Sequence, residues 1–423
     1  MHVAAPATDT AIPVEVILPP RKHVVMFSAG GGSWMTARRV AERHGTDHLE
    51  LLFTDTLFES PDTYVFLIES AADIYGISLP EGTVPALSDF PSFRDRPAFR
   101  AFLRALRERV APLIPKLSWI ADGRDIWQVF FDERFLANSG IDPCSKILKR
   151  LISYKWLEDT CDPANTTVYV GIDWTESHRF DDRQGGGVGP RRAADGWTYE
   201  APLTAPPYVT KAFVMDQMRD RGLQVPAAYL MGFSHNNCAR GCVKAGHEHW
   251  LNLLRKDRDL YMYYEGLEQE FRDYLGADVS ILTDRAGDNK KKVLTLRIFR
   301  ERYEEKRQLD FLFEEEFAGA FKEGVGGCGC MLETDGEVRP TKVAWSAEDD
   351  ERLAGLVMEM GLGDNALKAI ASKMGCGLGG LRARLTQLGV DLETHDAASA
   401  GQLLGAVAPA RGRRKARKEA VPA

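Results

Sequence analysis

The tightest constraint on the fold of this chain is a strand–glycine loop–helix–strand pattern near its N-terminus. His23 to Phe27 is a short apolar run, the signature of a buried strand. Ser28-Ala29-Gly30-Gly31-Gly32-Ser33 follows directly. A helical pattern comes next, with Ala37, Val40 and Ala41 on one face and Gly45 as its stop. A second apolar run, Leu49 to Phe53, ends at Thr54-Asp55-Thr56. This is a βαβ unit, and such crossovers build parallel sheets. Apolar runs at Trp119 to Ala121, Val168 to Ile172 and Tyr229 to Phe233 are predicted to add strands. Helical patterns over Lys146 to Trp156 and Val209 to Arg221 lie between them. The fold class expected is α/β, with helices on both faces of a parallel sheet.

Length sets the rest of the layout. At roughly 150 residues per domain, 423 residues predict two or three domains. Hydrophobic residues at 44% and charged residues at 27% exclude a mostly disordered or fibrous chain. Residues 1–20 read as a flexible arm and 21–245 as the α/β domain. Residues 246–340 read as a helical region, with two helices over Gly246 to Tyr274 and a glycine-rich hinge at Gly324 to Gly329. Residues 341–390 form a three-helix unit of helix-turn-helix size, with apolar faces at Leu353, Leu356 and Val357, at Ala369, Ile370 and Met374, and at Leu381, Leu385 and Leu388. Ser346 and Asp349 give it a capping-box-like start. Residues 391–423 are a flexible basic tail with Arg411, Arg413, Arg414, Lys415, Arg417 and Lys418. Asp182 to Asp195, with its glycine triplet, is predicted to be a mobile loop.

No apolar run approaches the roughly 18 residues of a membrane span, so no membrane partner is expected. Met1 to Pro20 has no Lys or Arg and no apolar stretch of the secretory kind. With an odd count of seven cysteines, this predicts a cytoplasmic chain whose thiols serve metal binding or catalysis rather than disulfides. A net charge of −7 argues against general nucleic-acid binding by the whole chain.

The glycine loop points to an anion. Glycines let backbone N–H groups approach a phosphate closely, and the helix N-terminus adds a favourable dipole. Ser28 and Ser33 can add hydroxyl donors. The loop lacks the Lys of a G-x-x-x-x-G-K-[ST] loop and the spacing of G-x-G-x-x-G. A plain βα turn is the alternative, made less attractive by a glycine triplet between two serines. Asp55, Asp173 and the Glu176–Arg179 segment also fall just after apolar runs. Anion-binding amides, acids for Mg²⁺ and an Arg for phosphate together make a phosphoryl site. A solvated acid ending a strand is the plain alternative for Asp55 and Asp173.

In these residues the chain resembles the adenine-nucleotide α-hydrolase superfamily of PP-loop ATP pyrophosphatases, sulfurtransferases and phosphoadenosine-phosphosulfate (PAPS) reductases. Ser28, Gly30 and Ser33 match its S-G-G-x-D-S loop, while Ala29 replaces the first Gly and Gly32 replaces the Asp. Val170-Gly171-Ile172-Asp173-Trp174-Thr175-Glu176-Ser177-His178-Arg179 is similar to the G-I-R-x-x-E-S-x-x-R segment of the PAPS reductase branch, with Asp173 in place of an Arg. Tyr199 to Leu203 resembles that branch's Pro-Leu segment leading into a helix. Val225-Pro226, Tyr229, Gly232 and then Cys238 to Cys242 resemble its Pro-x-x-x-Tyr-x-x-G followed by a Cys pair. The likeness spans about residues 22–255. It implies a Rossmann-like or flavodoxin-like sheet binding ATP, or PAPS or adenylylsulfate, at the C-terminal edge of the strands, with Mg²⁺. The nucleotide contacts implied are Ser28, Ala29, Gly30, Gly31, Gly32, Ser33, Asp55, Gly171 and Ser177. The catalytic residues implied are Asp55, Cys144, Lys149, Glu176 and Arg179.

Three readings compete for the cysteines. The first is a [4Fe–4S] cluster held by Cys238, Cys242 and two of Cys144, Cys328 and Cys330. The second is zinc on Cys238 and Cys242 with His235 or His247. The third is a redox dithiol. Sulfurtransferase and adenylylsulfate-reductase relatives carry such clusters, which favours the first. Cys144 also opens a helical run, a position that promotes thiolate. Cys161 and Cys376 read as incidental thiols. Lys146, Lys149 and Arg150 are placed on the face of that run opposite Ile147, Leu148, Leu151 and Ile152, as a solvated stripe or a contact to phosphate or nucleic acid.

The expected activity is ATP pyrophosphatase chemistry that adenylates an acceptor for sulfur transfer. The acceptor is DNA or tRNA by analogy with thiolation relatives, and a sulfur-donor or thiol-reductant protein is the implied partner. Sulfonucleotide reduction is the alternative, weakened because the reductases' late Glu-Cys-Gly-Leu/Ile-His segment has no counterpart here. A nucleotide- and DNA-binding regulator with poor turnover is the second alternative, because Gly32 stands where the loop Asp would be. For that unit, Arg382 and Arg384 on the third helix are a thin basis for reading bases.

Overall fold

The computed structural model describes residues 20–137, 142–181, 187–284, 292–309, 345, 347–374, 378–388 and 390. Five parallel strands form the central sheet: β1 (Lys22–Met26), β2 (Leu49–Asp55), β3 (Leu117–Ala121), β4 (Thr166–Tyr169) and β5 (Thr198–Glu200). Their order is β3-β2-β1-β4-β5. This is a Rossmann-like α/β sheet. Its apolar runs are continuous because both faces are covered. Val25, Phe27, Leu51 and Phe53 pack on one face, with α1 (Gly31–His44), α2 (Pro61–Tyr75) and α3 (Arg96–Val110). Val24, Met26, Leu52 and Val168 pack on the other, with Leu157 of the helix Ile152–Thr160.

A second core joins the C-terminal edge of this sheet. Phe58, just past β2, packs with Trp127 and Phe130 of α4 (Ile126–Glu133). The helices His247–Lys256 and Arg258–Leu275 supply Trp250, Tyr261, Tyr264 and Phe271 to it. An antiparallel hairpin, β6 (Leu282–Asp284) with β7 (Lys292–Leu294), closes one side. A third core belongs to the helices Ala347–Met360, Asp364–Lys373 and Leu378–Gln387, through Leu353, Val357, Ile370, Leu381 and Leu385. The middle helix packs on the turn Trp174–Arg179, and Tyr208 reaches Met360 Sδ at 3.8 Å. Among the described residues no helix is long and apolar enough to cross a membrane.

Several expectations change. Tyr229 to Phe233 is no strand: Ala227–Leu230 is a short helix, begun at Pro226, and a turn at Gly232 follows. A short apolar run reads the same for a strand and a buried helical turn. The edge strand β5 has no apolar run to announce it. The second half of the expected loop Asp182 to Asp195 is a helix, Val188–Ala194, while 182–186 lie outside the described residues. The Cys144 segment is helical, but Lys146–Leu151 runs as a π-helix. A π turn adds a residue per turn and rotates the face that follows. Lys146 is exposed and Leu148 buried as expected, but Lys149 and Arg150 are buried at 4% and 8% exposure and Leu151 is 51% exposed, the reverse of the expected stripe for these three. Ser346, the hinge Gly324 to Gly329, Cys328, Cys330, Cys376 and the tail also lie outside the described residues.

At the start of β1 the His23 ring stacks on His44 with centroids 4.1 Å apart, and its Nδ1 meets the Tyr169 hydroxyl at 2.9 Å. Burial first, then the nearby His44 and Arg21, lowers the His23 pKa from 6.5 to about 4. Between those values the unfolded chain takes a proton that the folded chain refuses. This contribution to stability is thus full above pH 6.5 and is lost as the pH falls towards about 4. His23→Gln is expected to flatten the fall in urea midpoint across that window. A slope equal to wild type would show that His23 does not drive it.

Candidate functional site

The strand order reverses between β1 and β4, the switch point of the sheet, and the loops that leave these two strands lie at its C-terminal edge. The loop after β1 turns at Ala29, whose φ of 54° is left-handed. That conformation suits glycine better than alanine. Ser33 then folds the loop on itself. Its Oγ accepts from Ser28 N at 3.1 Å and Gly30 N at 3.3 Å, and donates to the Gly30 carbonyl at 3.0 Å. α1 begins at Gly31, so the positive end of its dipole lies at this loop, and its first amide, Gly31 N–H, donates to the Tyr229 hydroxyl at 2.8 Å. The loop after β4 presses against this one. A Cβ on Gly171 would lie 2.8 Å from Ser33 N and 2.9 Å from the Gly32 carbonyl carbon. Gly171 is required there by close approach of two backbones. The structure thus brings Ser28 to Ser33 and Gly171 together at the switch point.

The acids behave differently. Asp55 is fully buried. Its Oδ1 accepts from Leu57 N at 2.7 Å and the Tyr64 hydroxyl at 2.8 Å, and its Oδ2 from Trp119 Nε1 at 2.9 Å. Burial pushes its pKa up, and these bonds and Lys149 oppose the rise. Both oxygens serve to hold the turn after β2, where Leu57 has a left-handed φ of 54°. Asp173 is also fully buried and caps the turn Trp174–Arg179, accepting from Thr175 N at 2.8 Å and Thr175 Oγ1 at 2.6 Å. On that turn Glu176 and Arg179 pair with each other at 2.9 Å, half-buried, and Ser177 sits between them. Arg384 donates to Asp350 Oδ1 at 2.8 Å, an ion pair inside the three-helix unit, so it is not spread toward a nucleic acid.

The cysteines meet at a second place. Cys144, Cys238 and Cys242 border one small cavity with Thr56, Lys149 and Lys244. All three thiols are buried. Lys149 Nζ lies 3.8 Å from Glu59, a carboxylate 2% exposed, which also accepts from Thr56 Oγ1 at 3.0 Å and from the Cys238 N–H. Burial raises the Glu59 pKa and Lys149 opposes the rise. The loop between the cysteines is strained: Cys238, Ala239 and Arg240 all have left-handed φ, at 51°, 46° and 66°. Each such residue costs of order 1–3 kcal/mol and persists only where its surroundings enforce it. Tyr264 donates to the carbonyls of Cys238 at 2.9 Å and Ala239 at 3.1 Å, and His249 Nε2 donates to that of Arg240 at 2.7 Å. The Tyr264 ring lies against Gly241, where any Cβ would collide with it.

Among the described residues no three His, Cys, Asp or Glu side chains converge as one metal ion requires. That is unfavourable to zinc shared with a histidine, and His247 Nε2 instead meets the Thr283 carbonyl at 3.0 Å. Glu59, Tyr264 and the placement of Tyr229 were not legible beforehand as parts of a site. A lone Glu or Tyr has no spacing signature, and only the approach of distant segments reveals it. Comparison with family models, curated proteins and solved structures finds no match.

Gly171→Ala is expected to destabilise the fold by about 1–3 kcal/mol, the usual cost of forcing a methyl into a packed contact, read from urea unfolding. An unchanged midpoint would mean that the two loops part easily.

Proposed function

We propose that the chain binds ATP at Ser28 to Ser33 and uses it to adenylate an acceptor for sulfur transfer, as a PP-loop ATP pyrophosphatase of the PAPS reductase-like kind. The observation that carries this reading is the placement of the glycine loop at the switch point, with Gly171 packed against it. The α1 amides would receive the phosphates and hold the nucleotide in register. An acceptor oxygen would attack the α-phosphorus, forming a new P–O bond as the bond to the leaving pyrophosphate breaks. A sulfur nucleophile would then displace AMP from the adenylated acceptor. Mg²⁺ would ride on the nucleotide's phosphates, with Glu176 the remaining carboxylate of the set, because Asp55 and Asp173 are enclosed by protein donors. Arg179, now paired with Glu176, would meet phosphate charge on leaving that partner.

Cys144, Cys238 and Cys242 would hold a [4Fe–4S] cluster, with Cys328 or Cys330 completing the set. Such a group supplies redox chemistry or an iron site for sulfur. Lys149 and Lys244 border the same cavity and would offset thiolate charge there. DNA or tRNA is the proposed acceptor, the basic tail a proposed contact to it, and a sulfur-donor or thiol-reductant protein the proposed partner, in the cytoplasm. Reduction of PAPS or adenylylsulfate would use the same loop. A second reading, nucleotide binding without turnover by a regulatory protein, is supported by the enclosure of both candidate Mg²⁺ acids and by Gly32.

Two measurements separate these readings. Ser33→Ala is expected to weaken ATP binding about tenfold, near the worth of one hydrogen bond network point in the loop, by titration calorimetry. Unaltered affinity would remove the loop from the site, and ATP binding without pyrophosphate release would favour the regulator. Protein purified without oxygen is expected to carry about four iron and four sulfide per chain and to lose both in the double variant Cys238→Ser/Cys242→Ser. Unchanged iron in that variant would sink the ligand assignment.

A further inference from the structure

The last turns of α1, at the end away from the glycine loop, border a cavity that takes no part in the proposed phosphate site. Its volume is about 640 Å³, inside the roughly 300–1,000 Å³ typical of small-molecule sites. Val40, Tyr169, Phe180 and Pro206 give it apolar wall. None of Ser28 to Ser33 lines it, and Gly31 and Arg43 lie roughly 18 Å apart along the helix at 1.5 Å per residue. Arg39, half-buried, builds one rim. Its Nη1 donates to the carbonyls of Pro202 at 2.7 Å and Ala205 at 3.4 Å, and its Nη2 to that of Pro207, which holds the segment after β5 against α1. Carbonyls satisfy guanidinium N–H groups without cancelling the charge. Glu42, the nearby acid on the same helix, pairs with Arg38 at 3.0 Å.

Arg43 and His44 continue this wall. Arg43 is exposed, and among the described residues its side chain has no hydrogen-bond or ion-pair partner. His44 stacks on His23, and its Nε2 meets the Tyr169 hydroxyl at 3.4 Å. Glu200, half-buried at the end of β5, also lines the cavity, and its carboxylate likewise has no partner among the described residues. Both charges are felt at one hydroxyl: burial and then Glu200 raise the Tyr169 pKa to about 12, while Thr167, Arg43 and Arg21 oppose the rise.

We propose that this cavity is a second binding site, for an organic acid that carries one negative group on an aromatic or aliphatic body. Arg43 meets the acid group with a charge-assisted hydrogen bond, and the apolar wall covers the body. Glu200 limits the charge the site accepts. A polyanion such as a nucleotide would bring negative charge against an uncompensated carboxylate, whereas an acid with one anionic end keeps its neutral body there. Cations in the last turn of a helix also complement its dipole, but that role needs neither a cavity nor Glu200.

The probe is anilinonaphthalene sulfonate, one sulfonate on an aromatic body, followed by its fluorescence on the full-length protein, with neutral phenylnaphthylamine as its uncharged counterpart. The wild-type protein is expected to bind the sulfonate without displacement by ATP or pyrophosphate. Arg43→Ala is expected to weaken the sulfonate about tenfold, the scale of a hydrogen bond to a charged group, and to leave the neutral compound unchanged. Ala205→Trp, at an exposed position of the wall, is expected to weaken both by filling the cavity. Glu200→Gln is expected to tighten the sulfonate alone. Equal weakening of both compounds by Arg43→Ala would mark Arg43 as a structural support and overturn the proposal. A wild-type protein that binds no sulfonate, displacement by ATP, or an affinity unaltered in both Arg43→Ala and Ala205→Trp would overturn it as well. Should Arg43→Ala fail to fold, Arg43→Gln removes the charge and keeps most of the side chain, and the same selective loss is expected.

Discussion

The packing of the β4 exit against the N-terminus of α1 is the contact on which the rest depends. β1 is the central strand, and its two neighbours are reached by chain segments running in opposite directions. Only a residue without a side chain lets the backbone after β4 come within 2.8 Å, measured to its imagined Cβ, of the Ser33 amide. That approach fixes where α1 begins and hence where its first amides point. Ser33 then fixes the loop internally through three hydrogen bonds at 3.0–3.3 Å to Ser28 and Gly30. A preorganised loop has less conformational freedom to lose when an anion arrives, and its donors need little reorientation.

The segment from Pro226 to Lys244 is the second element of the arrangement, and it ties the two candidate sites together. At one end Tyr229 meets Gly31. In the middle Asn236 donates to Thr63 Oγ1 at 3.0 Å, anchoring the segment on α2. At the other end Cys238 donates to Glu59, and the left-handed run Cys238 to Arg240 turns two thiols into the cavity beside Cys144. Glu59 and Lys149 form a buried ion pair there. Such pairs offset their own desolvation only with further hydrogen bonds, and Glu59 has them from Thr56 and Cys238. Strain and buried charge concentrated in one loop are costs that a fold retains where geometry at that point matters.

Much of the sheet was legible in the residues. The runs after His23, Leu49, Trp119 and Val168 became β1 to β4 because strands buried on both faces leave a continuous apolar signal. The glycine loop and Gly171 were legible for a related reason: small residues at strand ends have few roles other than close approach. The remainder depended on contacts between distant segments. The Lys149 face was misread because a single π turn shifts the register that a regular helix would keep. Asp55 and Asp173 read as acids at strand ends in either role, and only their donors reveal that they hold turns. Glu59 carries no pattern at all; its burial beside Lys149 is a property of the assembled edge.

These enclosed acids bear on how a site of this kind can work. A carboxylate whose oxygens already accept strong hydrogen bonds is a poor ligand for Mg²⁺, since coordination must compete with donors that the fold positions. At this strand edge the charge of Asp55 and Asp173 is directed to Leu57, Tyr64, Trp119 and Thr175, and Glu176 is paired with Arg179. Chemistry at an α-phosphate held there would depend on the nucleotide bringing its own cation, and on the turn Trp174–Arg179, against which the C-terminal three-helix unit packs. That contact sets the helix Asp364–Lys373 against the turn that carries Glu176 and Arg179, so the position of the turn is set jointly by the sheet and by the unit docked on it.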